Sequence, residues 1–250
     1  MVSIVMPAWN EAEIIEACVR EWYEEVVAKI PGAELIVVDD CSTDATGRIV
    51  TELGKRLPGV RCVRPERNGG HGKALRAGFD RAQQPYVFQT DSDRQHRPAD
   101  FWKVWELRDR ADFVFGIRKR RADGAVRIAI TRSMRCLNLL VWGVWVKDAN
   151  CPFKLMRRDA LEKVLAQIPR DCFIPMVLVS ILARKMGFRA AEVEVEHLPR
   201  QGGTQSLKGL VKWLRVSSKC AAQVLSIRLA YRAPLGEAAP AERIAAGPQR

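Results

Sequence analysis

The feature that most constrains the fold is a regular alternation of short apolar runs and longer amphipathic stretches in the first half of the chain. The apolar runs are continuous and do not alternate with polar residues. Continuous apolar strands are typical of a parallel sheet that helices cover on both faces. The pattern predicts strands at 3–6, 34–38, 60–63, 86–89 and 112–116, and helices at 11–29, 44–57, 72–82 and 98–110. We therefore expect an α/β fold with a mostly parallel central sheet, in which ligands bind at the carboxyl ends of the strands.

The chain beyond residue 117 is less regular. It predicts helices at 127–146, 160–167, 173–186 and 205–229, an extended segment at 151–156 and a strand at 189–195. A chain of 250 residues can bury one substantial core without a second domain. We expect one domain over 1–206, with halves 1–117 and 118–206, followed by a helical segment over 207–230. The Ala-, Pro- and Gly-rich stretch 233–250 predicts a disordered tail.

Positive charge is concentrated in the second half of the chain. Residues 1–117 carry 16 Lys and Arg against 19 Asp and Glu, whereas residues 118–250 carry 25 against 10. A strongly basic half favours an anionic partner, which is a nucleic acid, a phosphorylated substrate or a membrane surface.

Cysteine usage and hydropathy bear on the compartment. The seven cysteines are scattered, and no Cys pair or Cys/His group has the spacing of a zinc site. Reduced thiols are typical of cytosolic proteins. The first residues form a strand-like run without a signal-peptide pattern, and the apolar segment 137–146 is too short to span a bilayer. We therefore expect a cytoplasmic protein without a transmembrane anchor.

Two carboxylates separated by one residue follow the strand predicted at 86–89. Asp91 and Asp93 can both reach a divalent cation, and Gln95 offers a further oxygen. Mg²⁺ and Mn²⁺ prefer oxygen ligands and keep open positions for phosphate oxygens. Such a triplet also occurs in solvated turns, so the spacing alone leaves both interpretations open. Its position at the carboxyl end of a strand favours a metal site.

A second acidic loop follows the strand predicted at 34–38. Asp39 and Asp40 can accept hydrogen bonds from a base edge or from ribose hydroxyls. We interpret Ser42, Asp44 and Thr46, which come next, as helix caps. Carboxylates crowded at one sheet edge are costly unless a cation or a donor-rich ligand is present. The loop therefore indicates a binding site.

Four short motifs, taken together and in this order, resemble those of the family 2 glycosyltransferases. They are Pro7-Ala8-Trp9-Asn10-Glu11, the acidic loop 39–46, the Gly-rich stretch 69–73, and Asp91-Ser92-Asp93-Arg94-Gln95. The resemblance covers residues 2–206 and is closest to the polyprenol-phosphate (dolichol-phosphate) hexosyl transferases, such as the mannose and glucose synthases. It implies the nucleotide-diphospho-sugar transferase fold called GT-A, with Mg²⁺ or Mn²⁺ as the cofactor.

The resemblance also implies roles for residues on the donor side. The residues that would bind the nucleotide-diphospho-sugar are Pro7, Trp9, Glu11, Asp39, Asp40 and Asp91. The metal ion would be held by Asp91, Asp93 and Gln95, with Asp93 counted as catalytic. Trp9 stands where the family usually has Tyr.

On the acceptor side the resemblance is carried by basic residues. The positions that face the acceptor phosphate in the family are held here by Arg118, Arg127, Thr131 and Arg200, of which the three arginines are predicted to be catalytic. Arg118 lies in Gly-Ile-Arg, where the family has Gly-Ser-Arg. Cys151 and Pro152 replace a Ser-Gly pair, and Gln205-Ser206 replaces Ser-Lys. The acceptor side therefore departs from the family more than the donor side does.

The predicted reaction is an inverting transfer of a hexose from a GDP- or UDP-sugar to a polyprenyl phosphate. A lipid phosphate is ionised at pH 7 and needs cationic groups, not a general base. The alternative acceptor is a sugar hydroxyl in cell-wall, capsule or glycolipid synthesis, which requires a carboxylate base such as Asp148 or Asp171. Glu192, Glu194 and Glu196 alternate along a strand, and we interpret them as a solvated face.

The last predicted helix is amphipathic. Lys208, Lys212, Arg215 and Lys219 share one face, and apolar residues lie on another. Two interpretations remain open. The helix either packs on the core with its basic side in solvent, or lies on the anionic inner face of a membrane. The second would make the protein peripheral on the membrane, alone or with a separate membrane partner.

A non-enzymatic nucleic-acid-binding protein is the alternative from another class. It would bind through the basic half in a salt-sensitive manner and give no role to Asp91 and Asp93. The chain has neither zinc-finger spacing nor the aromatic motifs of RNA-binding domains. No GxGxxG follows the first strand, as a dinucleotide-binding dehydrogenase would require. We therefore expect an enzyme without a nucleic-acid partner.

Overall fold

Seven strands form one sheet within the residues that the computed structural model describes, which are 1–119, 125–199 and 210–231. For 125–132, Met134 and 210–214, only the backbone is described. The strands are β1 (Val2–Ala8), β2 (Glu34–Asp39), β3 (Val60–Val63), β4 (Tyr86–Gln89), β5 (Phe113–Arg118), β6 (Lys154–Arg157) and β7 (Ala190–Val195). Their order in the sheet is β3-β2-β1-β4-β6-β5-β7.

All neighbouring strands are parallel except at β6, which runs antiparallel to β4 and to β5. The carboxyl ends of β1 to β5 and β7 therefore share one edge of the sheet, together with the segment that leads into β6. The predicted α/β class with a mostly parallel sheet is confirmed.

Helices cover both faces of the sheet. They are α1 (Ile15–Glu25), α2 (Thr46–Gly54), α3 (His71–Phe79), α4 (Phe101–Trp105), α5 (Ala125–Trp142), α6 (Arg158–Leu165), α7 (Pro175–Lys185) and α8 (Leu210–Ala230). Buried side chains of α1, α2 and α4 form one core with one face of the sheet, and those of α3, α5, α6, α7 and α8 form a second core with the other face.

The sequence of β1 is suited to an interior strand with helices on both faces of the sheet. Every residue of β1 is buried. Successive side chains of a strand point to opposite faces, and accordingly Ile4 and Met6 enter one core while Val5 enters the other. A continuous apolar run is therefore required, because neither face of the strand meets solvent.

Three predicted elements differ from the structure. The helix predicted at 11–29 begins only at Ile15, and the backbone N–H groups of Glu11 and Ala12 before it bond to the side chains of Thr46 and Asp44. The helix predicted at 98–110 is reduced to a 3₁₀ turn and the short α4, which ends where the Arg108 guanidinium donates to the Trp105 carbonyl at 2.9 Å. The extended segment predicted at 151–156 becomes β6 and enters the middle of the sheet.

Helix α8 packs on the body of the protein over its second half. Val224 and Ile227 are buried in the second core, and the Tyr231 ring lies 5.5 Å from that of Trp142 at the end of α5. Arg228 Nε donates to the Val141 carbonyl at 3.1 Å. These contacts favour the packed interpretation for this half of α8, while Arg215 and Lys219 in its first half are exposed. None of the helices in the described ranges is long and apolar enough to cross a membrane.

Candidate active site

The loops after β1 and β2 are joined by hydrogen bonds at the carboxyl edge of the sheet. The Asn10 amide donates to Ser42 Oγ at 2.9 Å, and the Glu11 amide donates to Thr46 Oγ1 at 2.9 Å. Asn10 Oδ1 in turn accepts from the Thr43 amide at 2.8 Å. The interpretation of Ser42 and Thr46 as helix caps is therefore wrong, because their hydroxyls hold the neighbouring loop.

Pro7, Trp9 and Glu11 occupy different depths of this region. Pro7 is buried within β1, and the Glu11 side chain is also buried. Trp9 follows the strand and leaves 47% of its surface exposed, so its indole is available at the rim. Asn10, next to it, has a φ of 53°. An exposed aromatic face beside a polar loop is suited to stacking on a base.

Asp39, the last residue of β2, is fully buried and already paired. One carboxylate oxygen accepts from the Ser42 amide at 3.0 Å, and the other accepts from Arg64 Nη1 at 2.5 Å. The Arg64 side chain is half exposed and also donates to the Ser42 carbonyl. The sequence reasoning missed Arg64, although its place directly after β3 at the same sheet edge marked it as a candidate.

Asp40 holds the Gly-rich loop. Its two carboxylate oxygens accept from the amides of Gly69 and Gly70 at 2.8 and 2.7 Å, and its carbonyl accepts from Asn68 Nδ2 at 2.7 Å. The carboxylate is therefore committed to a loop. Asp40 therefore holds the Gly-rich loop, and its predicted contact with the nucleotide stays a prediction.

The loop after β4 presents carboxylates of the kind predicted for a metal site. Asp91 Oδ1 is buried and has no hydrogen-bond partner among the residues that the structure describes. Asp93 Oδ1 accepts from the Gln95 amide at 3.2 Å. A buried carboxylate oxygen without a donor is costly unless a cation approaches it. These oxygen ligands fit Mg²⁺ or Mn²⁺.

The protein ligands alone do not make a closed metal cage. In the described part of the chain, no group of three or more His, Cys, Asp or Glu side chains is arranged to hold an ion. A metal ion bound at Asp91 and Asp93 would complete its coordination with oxygens of water or of a substrate, as is usual for Mg²⁺ beside phosphates.

Acidic residues surround the buried thiol of Cys18 on α1. Burial raises the pKa of this thiol far above its usual range, and the carboxylates of Glu21, Asp93 and Glu11 raise it further. Glu11 and Asp93, predicted to bind the nucleotide-sugar and the metal, thus both add negative charge to the surroundings of this thiol.

Gln95 joins the loop after β4, which we call the metal loop, to the segment after β7. Its Nε2 donates to the Leu198 carbonyl at 3.1 Å, and its own carbonyl accepts from the Leu198 amide at 2.9 Å. Next to it, the His96 ring lies 5.5 Å from the ring of His197. Burial and the neighbouring His197 lower the pKa of His96 to about 4. These contacts bring the metal loop against the chain that leads to Arg200.

On the other side of β6, Arg118 forms a buried ion pair with Asp148. Arg118 Nε and Nη2 each donate to a different oxygen of the Asp148 carboxylate at 2.8 Å. The two side chains are 9% and 3% exposed. With both oxygens accepting from one guanidinium, Asp148 is poorly suited to act as a general base.

Lys154 holds the segment that carries Asp148. Its Nζ is fully buried and donates to the carbonyls of Ala149 and Cys151. Burial lowers the pKa of Lys154 to about 8. The Gly116 amide donates to the Phe153 carbonyl at 2.7 Å and fastens the same segment to β5. Sequence reasoning did not single out Lys154.

The prediction of a solvated acidic face is wrong at Glu192. Its side chain is 7% exposed and pairs with Lys147 at 2.6 Å and with the buried Arg184 at 2.9 Å. Glu194 and Glu196 are exposed as expected. Acidic and apolar residues do alternate at the end of β7. Glu192, however, faces the cations of Lys147 and Arg184.

Three of the predicted acceptor residues fall outside the described part of the structure. Arg200 lies in the segment 200–209, which is not among the described ranges. For Arg127 and Thr131, only the α5 backbone is described. Their predicted contact with an acceptor phosphate stays a prediction.

A family model named glycosyl transferase family 2 matches residues 3–165 of the chain. That range includes the four loops described above and β1 to β6. The protein therefore belongs to the family 2 glycosyltransferases.

Similar proteins and structures agree with this family. An undecaprenyl-phosphate 4-deoxy-4-formamido-L-arabinose transferase of Edwardsiella ictaluri is 29% identical over 218 residues, which are 86% of this chain and 65% of the relative. A dolichyl-phosphate beta-glucosyltransferase of Trichomonas vaginalis is 26% identical and covers 84% of this chain and 70% of the relative. This chain thus spans about two thirds of the length of these relatives.

Solved structures share the fold at low identity. A mannosyltransferase of Pyrobaculum calidifontis, in complex with GDP-Man and Mn²⁺, has a TM-score of 0.59 at 19% identity and covers 92% of this chain and 73% of its own. Glucosyl-3-phosphoglycerate synthase of Mycobacterium tuberculosis, with Mn²⁺ and UDP-Glc, has a TM-score of 0.62 at 22% identity and covers 94% and 80%. The GT-A glycosyltransferase fold is thereby established for this chain.

Proposed function

We propose that this protein transfers a hexose, with inversion, from a nucleotide-diphospho-sugar to a polyprenyl phosphate. One observation carries the proposal. A buried carboxylate oxygen without a hydrogen-bond partner among the described residues lies after β4, at Asp91, and a buried guanidinium lies at the end of β5, at Arg118. Only β6 separates these two parallel strands, so both groups lie at the same edge of the sheet, about two strand spacings apart across it. That spacing suits a cation-bound leaving group facing an anionic acceptor.

On the donor side, Asp91, Asp93 and the amide oxygen of Gln95 would hold Mg²⁺ or Mn²⁺. The ion would stabilise the negative charge of the departing nucleoside diphosphate. Trp9 would stack on the base, with Pro7 and Glu11 lining the pocket, while Asp39 and Arg64 would offer an acceptor and a donor to its edge. The structural neighbours that contain Mn²⁺ with GDP-Man or UDP-Glc support this assignment.

On the acceptor side, Arg118 would hold the phosphate together with Arg127, Thr131 and Arg200. Asp148 keeps the Arg118 guanidinium oriented through two hydrogen bonds, which leaves Nη1 to face the acceptor. An ionised phosphate needs no proton removed before it attacks, so a site rich in arginine is sufficient. The relatives named for undecaprenyl and dolichyl phosphate support a lipid phosphate in preference to a sugar hydroxyl.

A membrane surface would bring the lipid acceptor to this site. Four leucines on α5 and α8 are exposed, and we call them the leucine patch: Leu139, Leu140, Leu225 and Leu229. The Arg228 bond to Val141 joins the two helices at the turns that carry them. Exposed leucines, together with the exposed basic residues Arg215 and Lys219 of α8, are suited to an anionic bilayer. We therefore propose a peripheral protein on the cytoplasmic face of the membrane, alone or with a membrane partner.

The proposal is tested by transfer from a panel of GDP- and UDP-sugars, with Mg²⁺ or Mn²⁺, to a short polyprenyl phosphate or to a sugar hydroxyl acceptor. We expect a lipid-linked product that requires metal and one nucleotide-sugar. Transfer to the hydroxyl acceptor alone would replace the lipid phosphate in the proposal. Absence of metal-dependent donor binding would reject the donor site.

A further inference from the structure

Helix α8 fastens a loop that lies outside the predicted donor and acceptor motifs. The carboxamide oxygen of Gln223, on α8, accepts from the Phe173 amide at 2.9 Å, from the Ile174 amide at 3.3 Å and from Cys172 Sγ at 3.3 Å. Residues 172–174 lead into α7, and we call them the α7 entry loop. One side-chain oxygen thus fixes the whole entry loop to α8.

The other side of the α7 entry loop supports the first turn of α3. A Cβ at Gly72 would lie 2.5 Å from the Cys172 carbonyl oxygen and 2.9 Å from that of Phe173. Real Cβ atoms do not come this close to backbone oxygens, so only glycine allows α3 to rest on the loop. The start of α3 is therefore set by the position of the entry loop.

The start of α3 is continuous with the Gly-rich loop at the donor site. Gly70 precedes the helix with a φ of 78°, and its amide and that of Gly69 donate to Asp40. Asp40 is adjacent to the buried Asp39 at the end of β2. An unbroken series of contacts therefore runs from Gln223, through the entry loop and Gly72, to the nucleotide pocket.

We propose that Gln223 is a positioning residue for the donor site, which rests on the function proposed above. Its oxygen holds the α7 entry loop, and the loop supports the start of α3. The start of α3 in turn sets the position of the Gly-rich loop beside the nucleotide. Helix α8 would therefore contribute to donor binding as well as lying on the membrane side. The role needs a hydrogen-bond acceptor at position 223, and Glu meets this need where Leu does not.

The direct test is amide hydrogen exchange of the full chain without ligands. In Gln223→Leu we expect the amides of Gly69 and Gly70 to exchange at least fivefold faster, and in Gln223→Glu we expect rates within twofold of the native chain. Arg228→Gln, which removes the contact of α8 with Val141 but leaves the entry loop untouched, is the matched control and should also stay within twofold. Unchanged exchange in Gln223→Leu would overturn the inference, and so would equal acceleration in the control.

Donor affinity then separates this inference from the proposed function. We expect Gln223→Leu to weaken Mn²⁺-dependent binding of the nucleoside diphosphate about fivefold, with the KM for the lipid acceptor unchanged. A native chain that binds no nucleotide would reject the proposed function, whereas equal affinity in both proteins would reject the role of Gln223 alone. If Gln223→Leu does not fold, Gln223→Ala removes the same acceptor oxygen with a smaller side chain and should give the same exchange result.

Discussion

The two sides of the sheet edge are built differently. On the donor side, the loops after β1, β2 and β3 are bound to one another through side chains such as Ser42, Thr46 and Asp40. On the acceptor side, Arg118 is held by a buried ion pair with Asp148. Short motifs that bond to each other can be recognised in sequence, whereas an ion pair between residues 30 positions apart cannot.

The difference has a functional meaning. A site whose polar groups are already hydrogen-bonded is rigid before its ligand arrives, which lowers the cost of binding. The donor side has this character, and an Asp91 oxygen is an exception, since it has no hydrogen-bond partner among the described residues. The acceptor side depends on a guanidinium whose orientation is set by a single carboxylate. We therefore expect variants of the proposed metal ligands to affect catalysis, and variants of the Arg118 ion pair to affect both folding and catalysis.

The largest expected effect is on the donor side. Asp93→Ala should lower kcat/KM for transfer at least about 10³-fold, because metal-ion stabilisation of a leaving group contributes several kcal/mol. The midpoint of thermal unfolding should change little. Glu24→Gln, an exposed carboxylate on α1, is the control and should keep full activity. Activity of Asp93→Ala within tenfold of the native protein would contradict the metal assignment.

The next effect concerns the acceptor side. Arg118→Gln should lower the free energy of unfolding by about 3–5 kcal/mol, since it leaves the buried Asp148 charge without its partner. Urea denaturation measures this change. Arg157→Gln removes a more exposed ion-paired arginine and should cost about 1 kcal/mol or less. Equal losses in the two variants would mean that the Arg118 pair is not buried in solution.

The pH dependence of stability tests the burial of Lys154 on the acceptor side. Burial lowers the pKa of Lys154 to about 8 from its ordinary value of 10.5. Between these values the unfolded chain binds more protons than the folded chain, so stability rises with pH in this window. We expect the native protein to gain up to about 3 kcal/mol relative to Lys154→Met between pH 8 and 10.5. Parallel pH profiles of the two proteins would show that Lys154 titrates normally.

A smaller effect is expected where the donor side is held together. Asp40→Ala should lower the free energy of unfolding by about 2 kcal/mol, because the Gly69 and Gly70 amides lose a charged acceptor. Asp40→Asn keeps one acceptor oxygen and should lose about half as much. Chemical denaturation gives the stabilities, and nucleotide titration should show weaker donor binding in the same order. Weaker nucleotide binding without any loss of stability would indicate that Asp40 contacts the nucleotide directly.

The smallest effect concerns the leucine patch. The double variant Leu140→Gln with Leu229→Gln should reduce binding to anionic vesicles about tenfold, because it removes apolar area from the membrane face. Nucleotide binding should stay the same. Vesicle sedimentation measures the partition. Unchanged sedimentation would place the membrane contact, or a membrane partner, on another surface.

The sequence was most informative where structure is local. Strands β3 and β4 were predicted to the residue, and the loops after β1, β2 and β4 were predicted at the correct sheet edge. Continuous apolar runs and carboxylates in short loops are properties of neighbouring residues.

What the sequence missed depends on residues far apart in the chain. Lys154–Arg157 enters the sheet between β4 and β5 because of pairing partners 40 to 70 residues away. The loop-holding role of Asp40, the Asp39 contact of Arg64 and the burial of Glu192 likewise follow from tertiary contacts. No periodicity or spacing carries such information, although the place of Arg64 directly after β3 was a usable signal.

The central claim is that one sheet edge joins a metal-dependent donor site to a site for a lipid phosphate. The most direct measurement follows labelled sugar from its nucleotide into a short polyprenyl phosphate, with Mn²⁺ or with chelator, and determines the anomeric configuration of the product. We predict lipid-linked product only with Mn²⁺ or Mg²⁺ present, with the configuration inverted relative to the donor. Product formed equally in chelator, or with retained configuration, would contradict the account.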